Sequence, residues 1–370
     1  MKIADVRAYT LRVPLQKPWK IAGIVMSEMT ATIVEVETDN HLVGYGEALT
    51  RLGPSATREV VTSILRPVLL GADPLNVDVL WERMFATMKS RGHWKGFMIE
   101  AISGADIALW DLIGKALDLP VSTLLGGRHR ERLEVYASSI MLMDRDEMVR
   151  EARGLVARGF RKIKVKVGMG VEVDAENLRA IREAVGPRIG IMIDANGGFS
   201  TEEALRLGTM LEPLQILWFE EPVPTYDLEG YARLTEALRI PIAGGESEFT
   251  RWGFRDLIVR GKAAVIQPDI SRCGGFTEAR KIAALASAYG VPVAPHTGAA
   301  SAVCIAAAVH LAASLSNLAT FEHMFVENPL REDLLRVPVL DCVDGFIQVP
   351  RGPGLGIEID RAKLDRYRAD

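Results

Sequence analysis

Three short apolar stretches in the middle of the chain each lead to a carboxylate residue. Asp194 ends Ile-Gly-Ile-Met-Ile-Asp, Glu220 ends Ile-Leu-Trp-Phe-Glu, and Glu246 follows Ile-Pro-Ile-Ala-Gly-Gly. Both spacings are 26 residues, and amphipathic segments of helical length lie between the stretches. Acids at the ends of successive parallel strands converge at one mouth of a barrel. Three hard oxygen ligands without an accompanying cysteine or histidine favour Mg²⁺ over Zn²⁺. The alternative is three unrelated solvated acids, which the equal spacing disfavours.

A similar spacing, extended in both directions along the chain, reaches further polar residues. On the N-terminal side it reaches Lys166, with Lys164 two residues earlier on the same side of the strand. On the C-terminal side, steps of 23, 27 and 26 residues reach Asp269, His296 and Glu322. A lone histidine in an apolar strand is more often a core residue than a catalytic one. Asp269 on the neighbouring strand changes that expectation, because a carboxylate can fix the imidazole tautomer and raise its basicity.

The elements that must position these residues alternate between strand and helix from Arg132 onward. Besides the three acid-bearing stretches, strands are predicted at 133–138, 162–167, 264–269, 291–296 and 319–322. Helices are predicted at 144–158, 201–211, 227–237, 251–260 and 276–289. Alternation of this kind predicts an α/β fold with a parallel sheet, and about eight units predict closure into a barrel.

The first third of the chain has a different pattern. Strands are predicted at 2–12, 29–38 and 41–48, followed by helices at 57–70, 76–87 and 97–116. Two segments, 17–27 and 47–55, are predicted to be loops that cover a pocket. The tail from Asn328 is rich in turns, has no barrel unit, and is expected to return to the N-terminal part.

Composition limits the class of protein. The 370 residues suit a barrel of about 250 residues with a smaller second domain. A net charge of −4 without a basic stripe argues against nucleic acid as a partner. Cys273, Cys304 and Cys342 show no metal-like spacing, which favours a reducing cytoplasm. No signal peptide is evident, and no apolar run approaches the length that spans a membrane.

Together these residues resemble those of the enolase superfamily, and within it the mandelate racemase subgroup. The resemblance covers essentially the whole chain. It implies a modified (β/α)₇β TIM barrel at 126–325, with an α+β capping domain built from 1–125 and the C-terminal segment 326–370. A homo-oligomer, from dimer to octamer, that acts on a small carboxylate substrate in the cytoplasm is expected.

The same resemblance assigns roles residue by residue. Asp194, Glu220 and Glu246 match the ligands of one Mg²⁺ per subunit, which Mn²⁺ can replace. Lys164 and Lys166 match the family's Lys-x-Lys motif, in which Lys166 would be the base. His296 and Asp269 match the family's His–Asp dyad. Glu322 matches its strand-eight glutamate, which donates a hydrogen bond to the substrate carboxylate.

The shared chemical step is removal of the proton α to a carboxylate, which gives an enediolate. Lys166 and His296 come from different sides of the barrel mouth and could address opposite faces of the α-carbon. Elimination of a β-hydroxyl would make the protein an acid-sugar dehydratase, a hydro-lyase, and this outcome is preferred. Racemisation or epimerisation is the alternative, followed by cycloisomerisation. Polar and cationic residues in and after the two predicted loops favour a polar substrate only weakly: Lys17, Lys20, Arg51, Ser55, Arg91, His93 and Lys95.

Overall fold

The computed structural model describes residues 1–21 and 24–369. Its N-terminal part is an antiparallel sheet in the order β1-β2-β3, formed by β1 (Ile3–Ile21), β2 (Ile24–Thr38) and β3 (Val43–Ala48). In the middle of β1, buried Leu11, Val13 and Leu15 alternate with exposed Arg12 and Pro14. One face of the sheet is therefore apolar and must be covered.

The prediction of a loop at 17–27 is wrong for the described part of that segment. Residues 17–21 and 24–27 extend the hairpin, with Trp19 opposite Met26; residues 22 and 23 lie outside the described residues. The pairing is irregular between Pro14 and Trp19. Pro14 and Pro18 have no amide hydrogen for the ladder, so the strand pattern is interrupted in the sequence although the chain stays extended.

The second predicted loop, 47–55, is also partly wrong. Glu47 and Ala48 belong to β3, and helix begins at Pro54. Helical segments then follow at Pro54–Glu59, Val60–Leu65 (a π-helix), Arg66–Leu69, Val77–Ala86, Lys89–Arg91 (3₁₀), Phe97–Leu117 and Val121–Leu124. The first three and Phe97–Leu117 pack against the sheet.

Glycines allow the long helix Phe97–Leu117 to lie directly on the sheet. A Cβ atom on Gly46 would stand 2.0 Å from the carbonyl oxygen of Gly104, and one on Gly104 would stand 2.8 Å from a methyl group of Val34. Asp111, on the same helix, accepts hydrogen bonds from the amides of Tyr45 (2.9 Å) and Leu355 (2.8 Å). One buried carboxylate thus ties the sheet, the helix and the C-terminal segment together.

The second part of the chain is a parallel α/β domain. Its sheet runs β4-β5-β6-β7-β8-β9, and β10 pairs with the other edge of β4. The strands are β4 (Arg132–Ile140), β5 (Lys162–Lys166), β6 (Gly190–Asp194), β7 (Ile216–Glu220), β8 (Ile242–Gly244), β9 (Val265–Ile266) and β10 (Phe321–His323). The helices between them are Arg145–Ala157, Val171–Val185, Thr201–Leu211 with Glu212–Leu214 (3₁₀), Leu228–Ala237, Thr250–Val259, Gly275–Ala288 and Ala302–Ser314. This confirms the predicted fold class.

The predicted strand at 291–296 is wrong as a regular strand. Its residues make only single bridges, Val293 with Ile266 and with Leu318, and His296 with Asp269. Pro292 and Pro295 cannot donate to a ladder, which explains why no continuous pairing forms. The bridges still hold this segment between β9 and the chain that leads to β10.

The tail contacts both parts of the chain. It returns to the N-terminal sheet, where the Ala369 amide donates to the Thr10 carbonyl (2.9 Å) and Arg361 pairs with Glu35. However, a hairpin of β11 (Cys342–Val343) and β12 (Phe346–Gln348) joins the barrel sheet, because the first residues of β4 extend beyond the part that β10 pairs. The remaining helices are Pro329–Glu332 and Arg361–Tyr367.

Buried polar contacts join the two parts around the barrel mouth. Glu47 of β3 accepts hydrogen bonds from the amides of Ser301 (3.1 Å) and Cys304 (3.0 Å) at the start of helix Ala302–Ser314. Burial raises the pKa of Glu47 to about 7 against these hydrogen bonds. Trp81 donates to the carbonyl of Gly274 (2.8 Å) on the other side of the mouth. In the described ranges, the helices are too short or too polar to cross a membrane.

Candidate active site

Asp194, Glu220 and Glu246 meet at one end of the parallel sheet. Asp194 and Glu220 are the last residues of β6 and β7, and Glu246 follows β8 by two residues. One carboxylate oxygen from each lies within 4.8 Å of the other two, and all three side chains are buried. The adjacent register of β6 and β7, with Asp194 opposite Glu220, produces this convergence.

The two predicted lysines both reach these acids from β5. The Nζ atom of Lys164 lies 2.6 Å from Glu220 Oε1, 2.9 Å from Glu322 Oε1 and 3.4 Å from Asp194 Oδ2. Burial opposes its charge, but Glu220 and Glu322 raise the pKa of Lys164 well above its usual value. Lys166 contacts Asp194 and donates to Asn196 Oδ1 (2.8 Å). The surrounding carboxylates therefore favour the charged form of Lys164.

The predicted dyad forms on the opposite side of the acids. His296 Nδ1 lies 2.8 Å from Asp269 Oδ2, and Asp269 Oδ1 accepts from the Ser271 amide (2.8 Å). His296 Nε2 points to the site, 3.4 Å from Glu246 Oε2. Burial alone would lower the pKa of His296, but Glu246, Glu322 and Asp269 together raise it. The net effect favours protonation of this imidazole relative to a free histidine, and its Nε2 atom faces the acids.

Glu322 lies between the lysine side and the histidine side. Its Oε2 accepts hydrogen bonds from the amides of Thr297 (2.8 Å) and Gly298 (3.3 Å). Although burial opposes ionisation, Lys164 and His296 hold the pKa of Glu322 far below its usual value. The expected role of Glu322 as a hydrogen-bond donor therefore requires that a bound carboxylate drive it to take up a proton.

Several residues of the site were missed by sequence reasoning. Gln267 Nε2 and Trp218 Nε1 donate to Glu220 Oε2 at 2.6 and 3.1 Å. Asn196 Oδ1 accepts a hydrogen bond from the Lys166 ammonium, and the Asn196 backbone amide donates to Asp194 Oδ1 (2.9 Å). Each lies two residues from a predicted site residue: Gln267 from Asp269, Trp218 from Glu220, and Asn196 from Asp194. The alternation of strands was therefore an available signal for Trp218 and Gln267.

A second buried acid was also missed. Glu221 directly follows Glu220, and its Oε1 has no hydrogen-bond partner in the described ranges. Burial, with the charges of Glu246 and Asp194, raises the pKa of Glu221 well above its usual value. The acidic character of the site thus extends beyond the three predicted ligands.

An aromatic layer supports the site from inside the barrel. Tyr136 and Trp218 are buried and meet edge to face at 5.4 Å between ring centroids. Met192, Ala243, Val265 and Ala294 complete this small cluster. The Lys164 ammonium lies 5.5 Å from the centroid of the Tyr136 ring. This buried layer closes the barrel interior beneath Lys164.

The capping domain supplies the roof. Trp19 and Met26, opposite each other in the β1–β2 hairpin, line the space above the acids together with Arg51. Arg51 Nη2 lies 3.0 Å from Glu246 Oε1, so this cation is paired and not merely solvated. The enclosed space is only about 20 Å³, enough for about one water molecule. A substrate must therefore displace some of these contacts.

The chemistry of the cluster fits a divalent cation. Three buried carboxylates offer hard oxygen ligands without cysteine or histidine, which suits Mg²⁺ or Mn²⁺. Glu246 Oε2 has no hydrogen-bond partner among the described residues. Burial and the neighbouring Asp194 raise the pKa of Glu220 to about 8 despite Lys164. A cation would give this oxygen a ligand bond and would reduce the mutual repulsion of the acids.

Comparison with known proteins agrees with the fold and the site. Residues 3–126 match the N-terminal domain of the mandelate racemase / muconate lactonizing enzyme family, and residues 147–363 match the enolase C-terminal domain-like family. D-galactarolactone cycloisomerase of Agrobacterium fabrum is 37% identical over 100% of this chain and 99% of its own. Arabinonate dehydratase of Saccharolobus solfataricus is 36% identical over 94% of this chain and 93% of its own.

A solved structure gives the same result. The 3,6-anhydro-D-galactonate cycloisomerase from Zobellia galactanivorans superimposes with a TM-score of 0.92 at 36% identity, with both chains covered completely. Identity at this level over full length, with both domains matched in order, leaves no part of the described fold unaccounted for. The chain therefore belongs to the mandelate racemase / muconate lactonizing enzyme family of the enolase superfamily.

Proposed function

We propose that this protein is a divalent-cation-dependent lyase that removes the proton α to the carboxylate of an acid sugar and expels an oxygen from the β-carbon. The carrying observation is the arrangement of charge. Three buried carboxylates within 4.8 Å of one another lie between a lysine pair and a histidine–aspartate pair. Asp194, Glu220 and Glu246 would hold the cation, for which we propose Mg²⁺. When bound, it would stabilise negative charge on the substrate carboxylate.

Two residues would carry out the proton transfers, Lys166 as base and His296 as acid. Lys166 would take the proton from the α-carbon, and the electron pair of that C–H bond moves into the carboxylate. Lys164 and Glu322 lie where they can contact the same oxygens, and their interactions strengthen as charge builds there. His296 would then protonate the oxygen that leaves the β-carbon, and the resulting enol becomes a 2-keto acid.

Lys166 and His296 would address different faces of one carbon. Both line the same small space, and the acid-bearing strands β6, β7 and β8 lie between them along the sheet. Dehydration is our first proposal, as in the arabinonate dehydratase relative. If His296 returned its proton to the α-carbon instead, the product would be an epimer, and that alternative stays open.

Cycloisomerisation is a second candidate. A specific observation favours it: a cycloisomerase is 37% identical to this chain over its full length, and the matched structure is also a cycloisomerase. The leaving oxygen at the β-carbon would then belong to a ring of the substrate, so elimination opens the ring without release of water. The same residues serve both reactions.

A library of acid sugars and their lactones, each incubated with the protein and Mg²⁺, tests the proposal. Semicarbazide detects a 2-keto acid from either elimination, and ¹H NMR distinguishes an opened ring from a dehydrated chain. Epimers without keto acid would support the racemase alternative. No product and no exchange of the α-proton with D₂O for the whole library would refute the proposal.

The remaining expectations are also proposals. We propose that residues 1–125 and 326–370 form the capping domain and residues 126–325 the barrel, and that the substrate is a small carboxylate. Assembly into a homo-oligomer and a cytoplasmic location stay predictions.

A further inference from the structure

A second, larger cavity lies beside the small space above the acids. Its volume is about 690 Å³, within the range of cavities that hold whole small ligands. Trp19 lines both spaces. Consecutive residues divide between them: Ser138 and Met324 line the small space, and Ser139 and Phe325 line the larger one. The larger cavity therefore continues the reaction site past Trp19.

The lining of this cavity combines apolar surface with carboxylates. Met141, Met143, Met169 and Phe325 join Trp19 as the apolar part. The charged residues that line it, among side chains the structure describes, are Lys17 and four acids: Asp144, Glu147, Glu151 and Glu327. These four carboxylates are outside the ion pairs found within the described part of the chain. The side chain of Lys20 lies outside that part.

Such a lining distinguishes acid sugars with a carboxylate at the distal end from those with an uncharged, hydroxyl-bearing end. A carboxylate in this cavity would face several like charges and one lysine. At about 10 Å and an effective dielectric near 20, each unpaired acid disfavours it about two- to threefold after screening by salt. A neutral chain of hydroxyl groups would instead donate hydrogen bonds to the acids, while its C–H groups pack on methionine and aromatic side chains.

Resting on the proposed function, we propose that the cavity holds the uncharged, hydroxyl-bearing end of the substrate. The substrate is then a monocarboxylate, an aldonate or a ring form with one free carboxylate. Aldarates, which carry a carboxylate at both ends, are disfavoured. The reacting carboxylate has its own place among Lys164 and the acid triad, so only the distal end meets this cavity.

Arg51 is the cation that could argue for a second carboxylate. It lines the small space and not the larger one, and Glu246 already pairs with it at 3.0 Å. A distal carboxylate would have to displace Glu246 from Arg51 and leave the cavity acids without partners. The charges around the larger cavity therefore outweigh this single guanidinium.

Matched pairs of aldonate and aldarate with the same carbon number and configuration test the proposal with the full chain and Mg²⁺. We expect kcat/KM for the aldonate to exceed that for its aldarate by at least about tenfold, with a smaller ratio at high salt. The triple variant Asp144→Asn, Glu147→Gln, Glu327→Gln should shift selectivity toward the aldarate, about two- to threefold for each charge removed. Glu183→Gln, an exposed acid at the far end of helix Val171–Val185, should leave the ratio unchanged.

The outcomes separate this proposal from the function on which it rests. Turnover of aldarates equal to or better than that of aldonates would overturn the cavity assignment and leave the lyase function intact. An unchanged ratio in the triple variant would overturn it as well, because charge would not be the cause of selection. Absence of turnover for every pair, without α-proton exchange, would overturn both.

Discussion

The proposed roles of Lys166 as base and His296 as general acid can be tested by replacement of His296 with Asn. The Asp269 carboxylate, buried and 2.8 Å from His296 Nδ1, holds the ring so that Nε2 can deliver a proton. Loss of a general acid typically slows a reaction by about 10²–10⁴-fold. His296→Asn should therefore lower the elimination rate by that factor, while exchange of the α-proton with D₂O persists through Lys166.

Asp269→Asn gives a graded version of the same perturbation. The asparagine oxygen can keep the hydrogen bond from the Ser271 amide (2.8 Å), so its NH₂ group would face His296 Nδ1. That arrangement moves the ring proton to Nε2 and removes the charge that favours the imidazolium. A hydrogen bond to a charged group contributes about 1.5–3 kcal/mol, which corresponds to roughly 10- to 150-fold in rate.

The assay measures keto-acid formation and, separately, deuterium incorporation at the α-carbon by NMR. Lys166→Ala should abolish both for a substrate whose α-proton faces the lysine. His129→Asn, at an exposed histidine outside the site, is the matched control and should change neither. Loss of exchange in His296→Asn with exchange kept in Lys166→Ala would reverse the two roles. Unchanged turnover in both variants would refute the reasoning.

Three further predictions concern the metal, the roof of the site and a histidine far from it. A divalent cation at about 100 times its Kd should raise the free energy of unfolding by about 2.7 kcal/mol, and Glu220→Gln, which lacks one ligand, should lose most of this shift in thermal melts. Trp19→Ala should change KM and substrate preference but leave metal affinity by calorimetry nearly unchanged, because the indole supplies no ligand; a matching loss of metal affinity would contradict this. His310 is buried between the Ser122 amide and the Leu355 carbonyl, and burial lowers its pKa from 6.5 to about 4. The unfolded chain then binds more protons, so the free energy of unfolding should fall by about 3 kcal/mol as pH drops from 6.5 to 4, and His310→Asn should flatten that window in denaturant titrations.

The sequence alone predicted the architecture and the main site because barrels repeat at a regular spacing. Strand and helix lengths are nearly constant from unit to unit, so residues at equal phase reach the same mouth. The structure brings Lys164, Lys166, Asp269, His296 and Glu322 together with the three acids. Their chemical roles stay predictions, since proximity does not by itself establish a proton transfer.

The mispredicted strands and loops have two physical causes. Prolines interrupt the local strand pattern, and strands pair with partners that are distant in the sequence. Pro14 and Pro18 interrupt the strand pattern, so part of the β1–β2 hairpin was predicted as a loop. Pro292 and Pro295 prevent continuous pairing, so the predicted strand at 291–296 makes only single bridges. The hairpin at 342–348 joins β4 only because that strand has unpaired length to offer. Such pairing depends on what lies opposite in space, which local pattern does not record.

Local sequence thus determined which residues stand at the barrel mouth, and tertiary structure decided what each of them faces. In the sequence, Arg51 resembles a solvated cation in a loop. In the structure, the N-terminal part lies over the barrel mouth and pairs Arg51 with Glu246. Trp19 resembles an ordinary strand residue, but the hairpin carries it to the boundary between the two cavities. The physical reason is that the ends of strands are set by local periodicity, whereas the charge and shape of the space above them depend on contacts between distant segments.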